Sequence, residues 1–489
     1  MKLLTAESAL LERMDRFAPE VIAHVRQDHE KLDFLGFDRR SVFVESRYAW
    51  IKSVCTRSVT RNSAQGMSLS DRIDTVLTHR VWGVVIFLSL MAVVFQAMFS
   101  WAQLPMDLIK QGFDWLGARV GEAMPPGDLR DLIIHGGIAG VAAVVTFLPQ
   151  ILFLFLFLGL LEDTGYMARA AFIMGRVMSK VGLHGKSFIP LLGSFACAIP
   201  GIMATRTIGN PRDRLATMLV APLMSCSARL PVYALMIAAV IPPMRIFGFV
   251  SLPGLTMLSM YLLGLVMALL MAWIFKKTLL RGGPPSFIIE LPPYTVPSLR
   301  STLMLMWERA WLFLKRAGTI ILGASILLWF LASYPKLDGG GGTPADRLNH
   351  SFVGFAGRMI EPIIRPLGFD WKIGIGLITS LIQREVFVST MGTIYDVGSA
   401  GGQSGGLAER LRSSRDPVTG ASSFTPLTGI CIMVYYVLAM QCFSTVAVMR
   451  RETNGWRWPL FQVAYMTALA YGVTFIVFRA GTAMGIGAG

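Results

Sequence analysis

Charged residues are scarce in this chain. Only 15% of its 489 residues are Asp, Glu, Lys or Arg, whereas 54% belong to the apolar set. A soluble protein carries about 25% charged residues, so this deficit excludes an ordinary soluble globular protein. Lys and Arg outnumber Asp and Glu, 45 to 30, but they lie in short segments between apolar runs rather than along one stripe. They therefore indicate membrane topology and no nucleic-acid partner.

Several kinds of site are also missing from the sequence. Its five cysteines form no close pair, which argues against a disulfide framework. The triplet Gly185-Lys186-Ser187 resembles the end of a phosphate-binding loop, but the first glycine of that motif would fall on Lys180. We therefore expect this chain to bind no nucleotide and to be no enzyme. Charged residues also interrupt the first 17 positions, where a signal peptide would need an apolar core.

Long apolar runs are what the sequence has instead. Between residues 81 and 478 they repeatedly reach the roughly 20 residues that a membrane helix needs. We predict an all-α polytopic membrane protein with about seven crossings plus two interrupted hairpins. The predicted crossings lie near residues 81–101, 137–161, 215–241, 249–275, 317–331, 427–448 and 459–478.

The loops between these runs predict the orientation. Basic segments at residues 169–186 and 276–316 indicate the cytoplasmic side, and the acid-rich stretch 102–132 is expected outside. Six segments are predicted in chain order. They are a cytoplasmic helical segment (1–80), a first span with its external loop (81–131), gate repeat 1 (132–243), a span with a basic loop (244–316), gate repeat 2 (317–450) and a last span (451–489).

Two apolar segments are interrupted and similar to each other. Residues 182–208 align without a gap over residues 368–394, with seven identical positions that include Gly182 with Gly368 and Ser194 with Ser380. Similar composition alone is the alternative explanation. Because three predicted spans separate the copies, the repeats should have opposite orientations, which is a feature of transporters whose broken helices meet at the substrate site. We expect Cys197 and its repeat partner Gln383 to converge there.

Sulfur ligands mark three membrane segments. Cys197 lies in FACAIPG, Cys226 follows Ser225 in APLMSCSARLP, and Cys442 lies near Met440 in MQCFS. Thiolates and thioethers select late divalent metals, whereas Mg²⁺ and Ca²⁺ prefer oxygen ligands. Each cysteine is equally explained as a small buried hydrophobe, and Cys55 and Cys431 are interpreted in that way.

Three acids inside or beside apolar runs need a reason, because ionised groups are costly in a bilayer. Glu385 falls in the second interrupted segment, where it could attract a cation with its charge balanced by Arg384, or form a structural ion pair with it. Glu162 and Asp163 end the second predicted span. They fit either an ion exit or an interfacial helix end.

Several motifs resemble one family. They are LEDTGYMARAAF at 161–172, GKSFIPLLGSFACAIPGIMATRTI at 185–208, RDRLATMLVAPLMSCSARLPVYAL at 212–235, ELPPY at 290–294, WERAWLFLKRAGTIIL at 307–322 and REVFVSTMGTIY at 384–395. Together they resemble the membrane domain of the FeoB-type ferrous iron transporters, from about Arg47 to Tyr471. The resemblance implies Fe²⁺ as the transported substrate and a multi-pass chain in the bacterial inner membrane with a cytoplasmic N-terminus. It also implies that Cys197, Cys226 and Cys442 line the pore.

The sequence departs from that family in two places. It shows no amino-terminal G-protein domain, and residues 1–60 resemble only the tail of the helical linker that follows one. Either a separate G protein acts, or the chain is shortened, or transport does not use GTP. Ala198 stands after the first-gate cysteine where many relatives have Asn, so no amide ligand is expected there.

The expected partners are membrane lipid, a separate G protein, small cytosolic iron-transport proteins and further copies of the chain. Three alternatives stay open at this point. The first is another cargo metal, Mn²⁺ or Zn²⁺, and the second is an organic solute such as a nucleoside. The third is a non-transporting scaffold that docks a G protein through residues 1–80 and 276–316.

Overall fold

A computed structural model gives the conformation of most of the chain. Apart from isolated residues near 20–31 and 347–348, it describes residues 42–58, 69–79, 81–195, 197–246, 250–280, 292–335, 350–381, 384–395, 404–413, 424–440 and 442–485. The chain divides into two compact units, one of residues 1–76 with 284–289 and one of residues 77–283 with 290–489. Helix α1, Val42–Ser58, belongs to the first unit.

The other described helices follow in chain order. They are α2 Leu69–Leu77, α3 Trp82–Gln96, α4 Gln103–Ala123, α5 Asp128–Asp131, α6 Ala139–Val145, α7 Leu148–Asp163, α8 Tyr166–Lys180, α9 Phe188–Ser194, α10 Ala198–Ala204, α11 Pro211–Val220, α12 Leu230–Val240, α13 Leu252–Lys277, α14 Leu299–Phe313, α15 Thr319–Ser333, α16 Phe352–Ile364, α17 Trp371–Thr379, α18 Val386–Ile394, α19 Ser404–Ser413, α20 Pro426–Leu438, α21 Phe443–Thr453 and α22 Arg457–Ala483. The described strands, β1 Arg245–Ile246 and β2 Val250–Ser251, form one short antiparallel pair. The all-α prediction is confirmed apart from this pair.

Within the residues that the structure describes, four helical stretches are long and apolar enough to cross a membrane, and they confirm a multi-pass protein. They are 211–240, 252–277, 426–453 and 457–483, and counting two bent helix pairs raises the number to six. The sequence predicted seven crossings. The difference arises partly because a turn at Thr146 and Phe147 divides the predicted span 137–161 and because α15 has only 15 residues.

Both interrupted segments form a helix, a short break and a second helix packed against the first. Helices α9 and α10 make the first hairpin, and α17 and α18 make the second. The elements around them also repeat. Helices α8 and α16 begin at Tyr166 and Phe352, 186 residues apart. The glycines that end the turns after these helices, Gly182 and Gly368, both have a left-handed backbone, with φ of 80° and 77°, which favours glycine.

The two repeats exchange helices in a reciprocal way. The second arm of hairpin 1, α10, packs against α21 of repeat 2, while the second arm of hairpin 2, α18, packs against α12 of repeat 1. The helices after each repeat match as well, because α13 packs on α11 and α12, and α22 packs on α20 and α21. This reciprocity supports the internal repeat, and the opposite orientation of the two copies stays a prediction.

Two predicted spans turn out to be interrupted too. The chain leaves the α-helical conformation between α11 and α12, at residues 221–229, and again between α20 and α21, at Ala439, Met440 and Cys442. Cys226 lies in the first break and Cys442 in the second. The sequence predicted continuous spans at both places, at 215–241 and 427–448. Pro222 and Pro231 flank Cys226 and were the available signal for the first break.

Candidate functional site

The breaks of repeat 1 and repeat 2 meet at one cavity in the second unit. Its volume is about 120 Å³, several times the roughly 10–15 Å³ that one water needs. An ion with part of its water shell therefore fits. The lining residues are Val144, Phe147, Gln150, Ile151, Cys197, Ala198, Ile199, Pro222, Met224, Cys226, Ser227, Ala228, Phe313, Ile321, Arg384, Glu385, Met440, Cys442, Ser444 and Thr445.

The three cysteines of the predicted site all line this cavity, and each one immediately precedes a helix. Cys197 precedes α10, Cys442 precedes α21, and Cys226 precedes a 3₁₀ turn, Ser227–Arg229, that leads into α12. All three have an extended backbone. Helix N-termini favour negative charge, as a thiolate would provide. Cys197 is also close enough to Cys226 and Cys442 for charges on the three sulfurs to interact.

Arg229 satisfies the carbonyl groups that the first broken span leaves free. Its guanidinium is fully buried and donates to the carbonyl oxygens of Pro222, Leu223 and Met224 at 2.8, 3.2 and 3.0 Å. Unpaired carbonyls in a bilayer cost several kcal/mol each. The hydrogen bonds from Arg229 therefore offset the cost of leaving these carbonyls outside a helix.

Arg384 does the same for the second broken span. It is buried in the cavity wall and donates to the carbonyl oxygens of Tyr436 at 2.9 Å and Ala439 at 3.2 Å. The sequence predicted that Arg384 balances the charge of Glu385 or forms an ion pair with it. The ion pair was wrong, because Arg384 bonds the two carbonyls and forms no ion pair with Glu385. These acceptors are more than 50 residues away along the chain, and no pattern near Arg384 identifies them.

Glu385 is the acidic residue of the cavity wall. Its carboxylate forms no hydrogen bond and no ion pair with the described part of the chain. Glu385 lines the same cavity as Cys197, Cys226 and Cys442.

The other predicted site residues have different positions. Met440 lines the cavity. Ser225 does not; it is fully buried, and its hydroxyl accepts a hydrogen bond from Arg229 at 3.4 Å. Gln383 lies outside the described residues.

Glu162 and Asp163 end α7, whose start contributes Gln150 to the cavity wall. The 12 residues from Gln150 to Glu162 correspond to about 18 Å along a helix axis. Asp163 accepts a hydrogen bond from Thr302 at 3.2 Å. The described structure therefore does not bring this acidic pair to the thiols.

Several cavity residues were missed by the sequence analysis, above all Gln150, Met224, Ser444 and Thr445. Gln150 is buried in an apolar run and was read as part of a continuous span. Pro149, directly before it, was the available signal, because proline is common in the first turn of a helix. Ser444 and Thr445 follow Cys442 and carried no signal of their own.

The described residues contain no preassembled cluster of three or more His, Cys, Asp or Glu side chains at metal-binding separations. The thiols line one cavity without closing on a common point. Such an arrangement can hand an ion from ligand to ligand, whereas a tight structural metal site would hold it.

Comparison with known proteins agrees with this architecture. The Gate family, described as nucleoside recognition, matches residues 144–240 and 314–456. The family described as ferrous iron transport protein B C terminus matches residues 257–309. No solved structure matches the chain.

Curated relatives extend the match. The Fe(2+) transporter FeoB of Leptospira interrogans is 44% identical over 91% of this chain and 65% of its own length. The Fe(2+) transporter FeoB of Staphylococcus aureus strain COL is 40% identical over 89% of this chain and 62% of its own length. A Fe(2+) transport protein A/Fe(2+) transporter FeoB fusion protein of Porphyromonas gingivalis is 40% identical over 91% of this chain and 55% of its own length. The chain thus spans from about half to just under two thirds of these relatives, and it belongs to the FeoB family.

Proposed function

We propose that this chain carries Fe²⁺ across the bacterial inner membrane through the cavity between its two repeats. One observation carries the proposal: three broken helices each place a cysteine, Cys197, Cys226 or Cys442, at the same cavity. Glu385 supplies an oxygen ligand and Met440 a thioether. The relatives bear the name Fe(2+) transporter, which supports the same cargo.

The ligand chemistry favours a late divalent ion. Thiolate and thioether sulfurs select transition metals, while Mg²⁺ and Ca²⁺ take oxygen ligands. Cysteine binds a metal as thiolate, so binding releases protons from these thiols. Because the thiols are not gathered into one cluster, an ion could bind some of them at a time and leave by exchanging ligands.

Topology and partners follow from the resemblance and from the relatives. The N-terminus is proposed to be cytoplasmic. A small cytosolic iron-transport protein and a separate G protein are proposed partners, the former because the P. gingivalis relative is named as a fusion with transport protein A. We also propose that the membrane part binds no nucleotide. Gly185–Ser187 forms a 3₁₀ turn after the α8 helix, whereas a phosphate-binding loop follows a strand.

An organic cargo is the second candidate. The Gate family is described as nucleoside recognition, and Phe147, Phe313 and Gln150 line the cavity. Aromatic rings and an amide can hold a nucleobase. Three thiols beside a carboxylate serve no purpose for such a cargo, and we therefore favour the metal.

The test uses the full chain in proteoliposomes. Trapped calcein, whose fluorescence iron quenches, reports Fe²⁺ entry under anaerobic reducing conditions. We expect quenching with the unmodified chain and at least a tenfold slower rate with Cys197→Ser/Cys226→Ser. Cys431→Ser is the matched control, because Cys431 is fully buried in α20 and does not line the cavity.

Parallel assays offer Mn²⁺, Zn²⁺ and a radiolabelled nucleoside. Nucleoside uptake without iron entry would make the organic cargo correct, and passage of no solute at all would favour a scaffold. Unchanged iron entry in the double variant would remove the thiols from the mechanism.

A further inference from the structure

Arg384 places a permanent positive charge in the wall of a proposed cation pathway. It is 4% exposed, lines the cavity, and forms no ion pair with any described residue. Among the described residues, its N–H groups donate hydrogen bonds to the carbonyl oxygens of Tyr436 and Ala439. A guanidinium does not lose its proton in a protein, so its charge is always present.

The surroundings add to this charge instead of cancelling it. Arg229 is fully buried without an acidic partner among the described residues and lies within electrostatic range of Arg384. The N-terminus of α21, which follows Cys442, also faces the cavity with Ser444 and Thr445 and contributes partial positive charge. Glu385 is the carboxylate of the cavity wall. When the thiols carry their protons, the positive charges therefore exceed the negative ones.

An electropositive cavity discriminates between cations by the kind of bond they form. A hard cation such as Mg²⁺ gains mainly Coulomb energy from its ligands, and Arg384 opposes that gain. An ion that binds sulfur displaces the thiol protons, creates its own negative ligands and overcomes the repulsion. Arginine side chains and the positive ends of half-helices exclude cations in other membrane pores in the same way.

We propose that Arg384 is a specificity-determining residue that bars hard cations from the pathway unless they bind the cysteine sulfurs. This inference rests on the proposed function for the identity of the preferred ion. The barrier itself depends only on the charge of Arg384, and it is measurable with Mg²⁺ alone.

The experiment measures Mg²⁺ entry into proteoliposomes with a trapped Mg²⁺-sensitive dye, beside Fe²⁺ entry with calcein. In Arg384→Gln the charge is removed and an amide donor remains. We expect Mg²⁺ entry to rise on the order of tenfold to a hundredfold, as removal of a nearby unit charge predicts. Arg384→Lys keeps the charge but cannot bond both carbonyls as a planar fork, and it should exclude Mg²⁺ like the unmodified chain.

Thr445→Asp tests the same charge without touching Arg384. It adds a carboxylate to the cavity wall, in the first turn of α21 where an acid is favourable, and Mg²⁺ entry should rise as in Arg384→Gln. If Arg384→Gln does not fold, Thr445→Asp still shows whether the positive charge of the cavity wall excludes Mg²⁺.

Two results would overturn the barrier. The first is Mg²⁺ exclusion in both charge-changing variants, and the second is equal Mg²⁺ entry in Arg384→Lys and Arg384→Gln, which would reduce Arg384 to a carbonyl cap. Failure of the unmodified chain to pass Fe²⁺ would count against the proposed function, whereas the Mg²⁺ comparison would still decide the barrier.

Discussion

The two hairpins share one backbone design but place their small residue on opposite arms. In hairpin 1, Gly201 on the second arm faces Ser194 and Pro190 on the first. In hairpin 2, Gly376 on the first arm faces Phe387 on the second. The repeat offset pairs Gly201 with Phe387 and Pro190 with Gly376. The arms are therefore in close contact in both copies. The glycine that permits this contact lies on the second arm in hairpin 1 and on the first arm in hairpin 2.

The distal ends of the hairpins differ as well. Hairpin 1 ends in a 3₁₀ turn whose Arg206 bonds Glu452 on α21, with which Arg214 also pairs at 2.7 Å. The equivalent position in hairpin 2 is Gly392, where an added Cβ would meet no atom within 4 Å. Hairpin 1 is thus anchored to the opposite repeat by charge. The second hairpin has no such anchor at that position.

Gly201→Ala should give the largest loss of stability. A Cβ at this position would lie 1.9 Å from Ser194 Oγ and 2.8 Å from the carbonyl oxygen of Pro190. Because a backbone oxygen cannot move aside, the arms must separate, and we expect a cost of about 3 kcal/mol or more. The free energy of unfolding, measured by SDS titration in mixed micelles, checks this. Ser194→Ala in the same chain should recover part of the loss; an unchanged free energy in Gly201→Ala would refute the close contact.

Glu452→Gln should give the second-largest loss of stability. The carboxylate is nearly buried, at 4% exposure, whereas Arg206 and Arg214 are 54% and 31% exposed. Solvent therefore screens part of the interaction, and we expect a loss of about 2 kcal/mol, below the 3–5 kcal/mol of a fully buried pair. Glu122→Gln is the control, since its pair with Arg119 is exposed and should contribute under about 0.5 kcal/mol. Equal losses of stability in the two variants would show that the ion pairs of Glu452 stabilise the protein no more than an exposed surface pair.

Gly376→Ala should cost less than Gly201→Ala. Its Cβ would lie 2.7 Å from Met391 Cε and from the ring of Phe387, and both of these are side-chain atoms that can shift. We expect about 1–2 kcal/mol in the same titration. Gly392→Ala, with open space around it, should be neutral or slightly stabilising. If Gly376→Ala costs more than Gly201→Ala, the assignment of the tighter contact to hairpin 1 is wrong.

The sequence predicted the repeated elements better than their contacts. Glycine and proline interrupt the apolar runs at positions that local backbone chemistry determines, so both hairpins could be inferred. The matched pair Gly182 and Gly368 could be found as well, but not their left-handed backbone. Cys197 and Cys226 could be selected because prolines lie close to them in the sequence, and the family resemblance added support for Cys442.

The remaining features depend on long-range packing. Gln150 lies in the first turn of α7 and reaches the cavity wall through tertiary packing, and the acceptors of Arg384 lie more than 50 residues away. Periodicity and local motifs hold no information about such pairs. For the same reason the sequence paired Arg384 with its neighbour Glu385, which was wrong.

Thr390→Val should have the smallest effect and tests a bond that only hairpin 2 has. The hydroxyls of Thr379 and Thr390 lie 2.9 Å apart. Because Thr379 Oγ1 donates its one proton to the carbonyl oxygen of Gly376 at 3.1 Å, Thr390 is the donor of the bond between the two hydroxyls. Hairpin 1 has Gly193 and Ala204 at the equivalent positions and no such bond. We expect a loss of about 1 kcal/mol in the SDS titration. Thr379→Val should cost at least as much, because it strands the Thr390 hydroxyl, whereas the double variant should cost less than the sum of the two. Strict additivity would mean that the two hydroxyls do not bond.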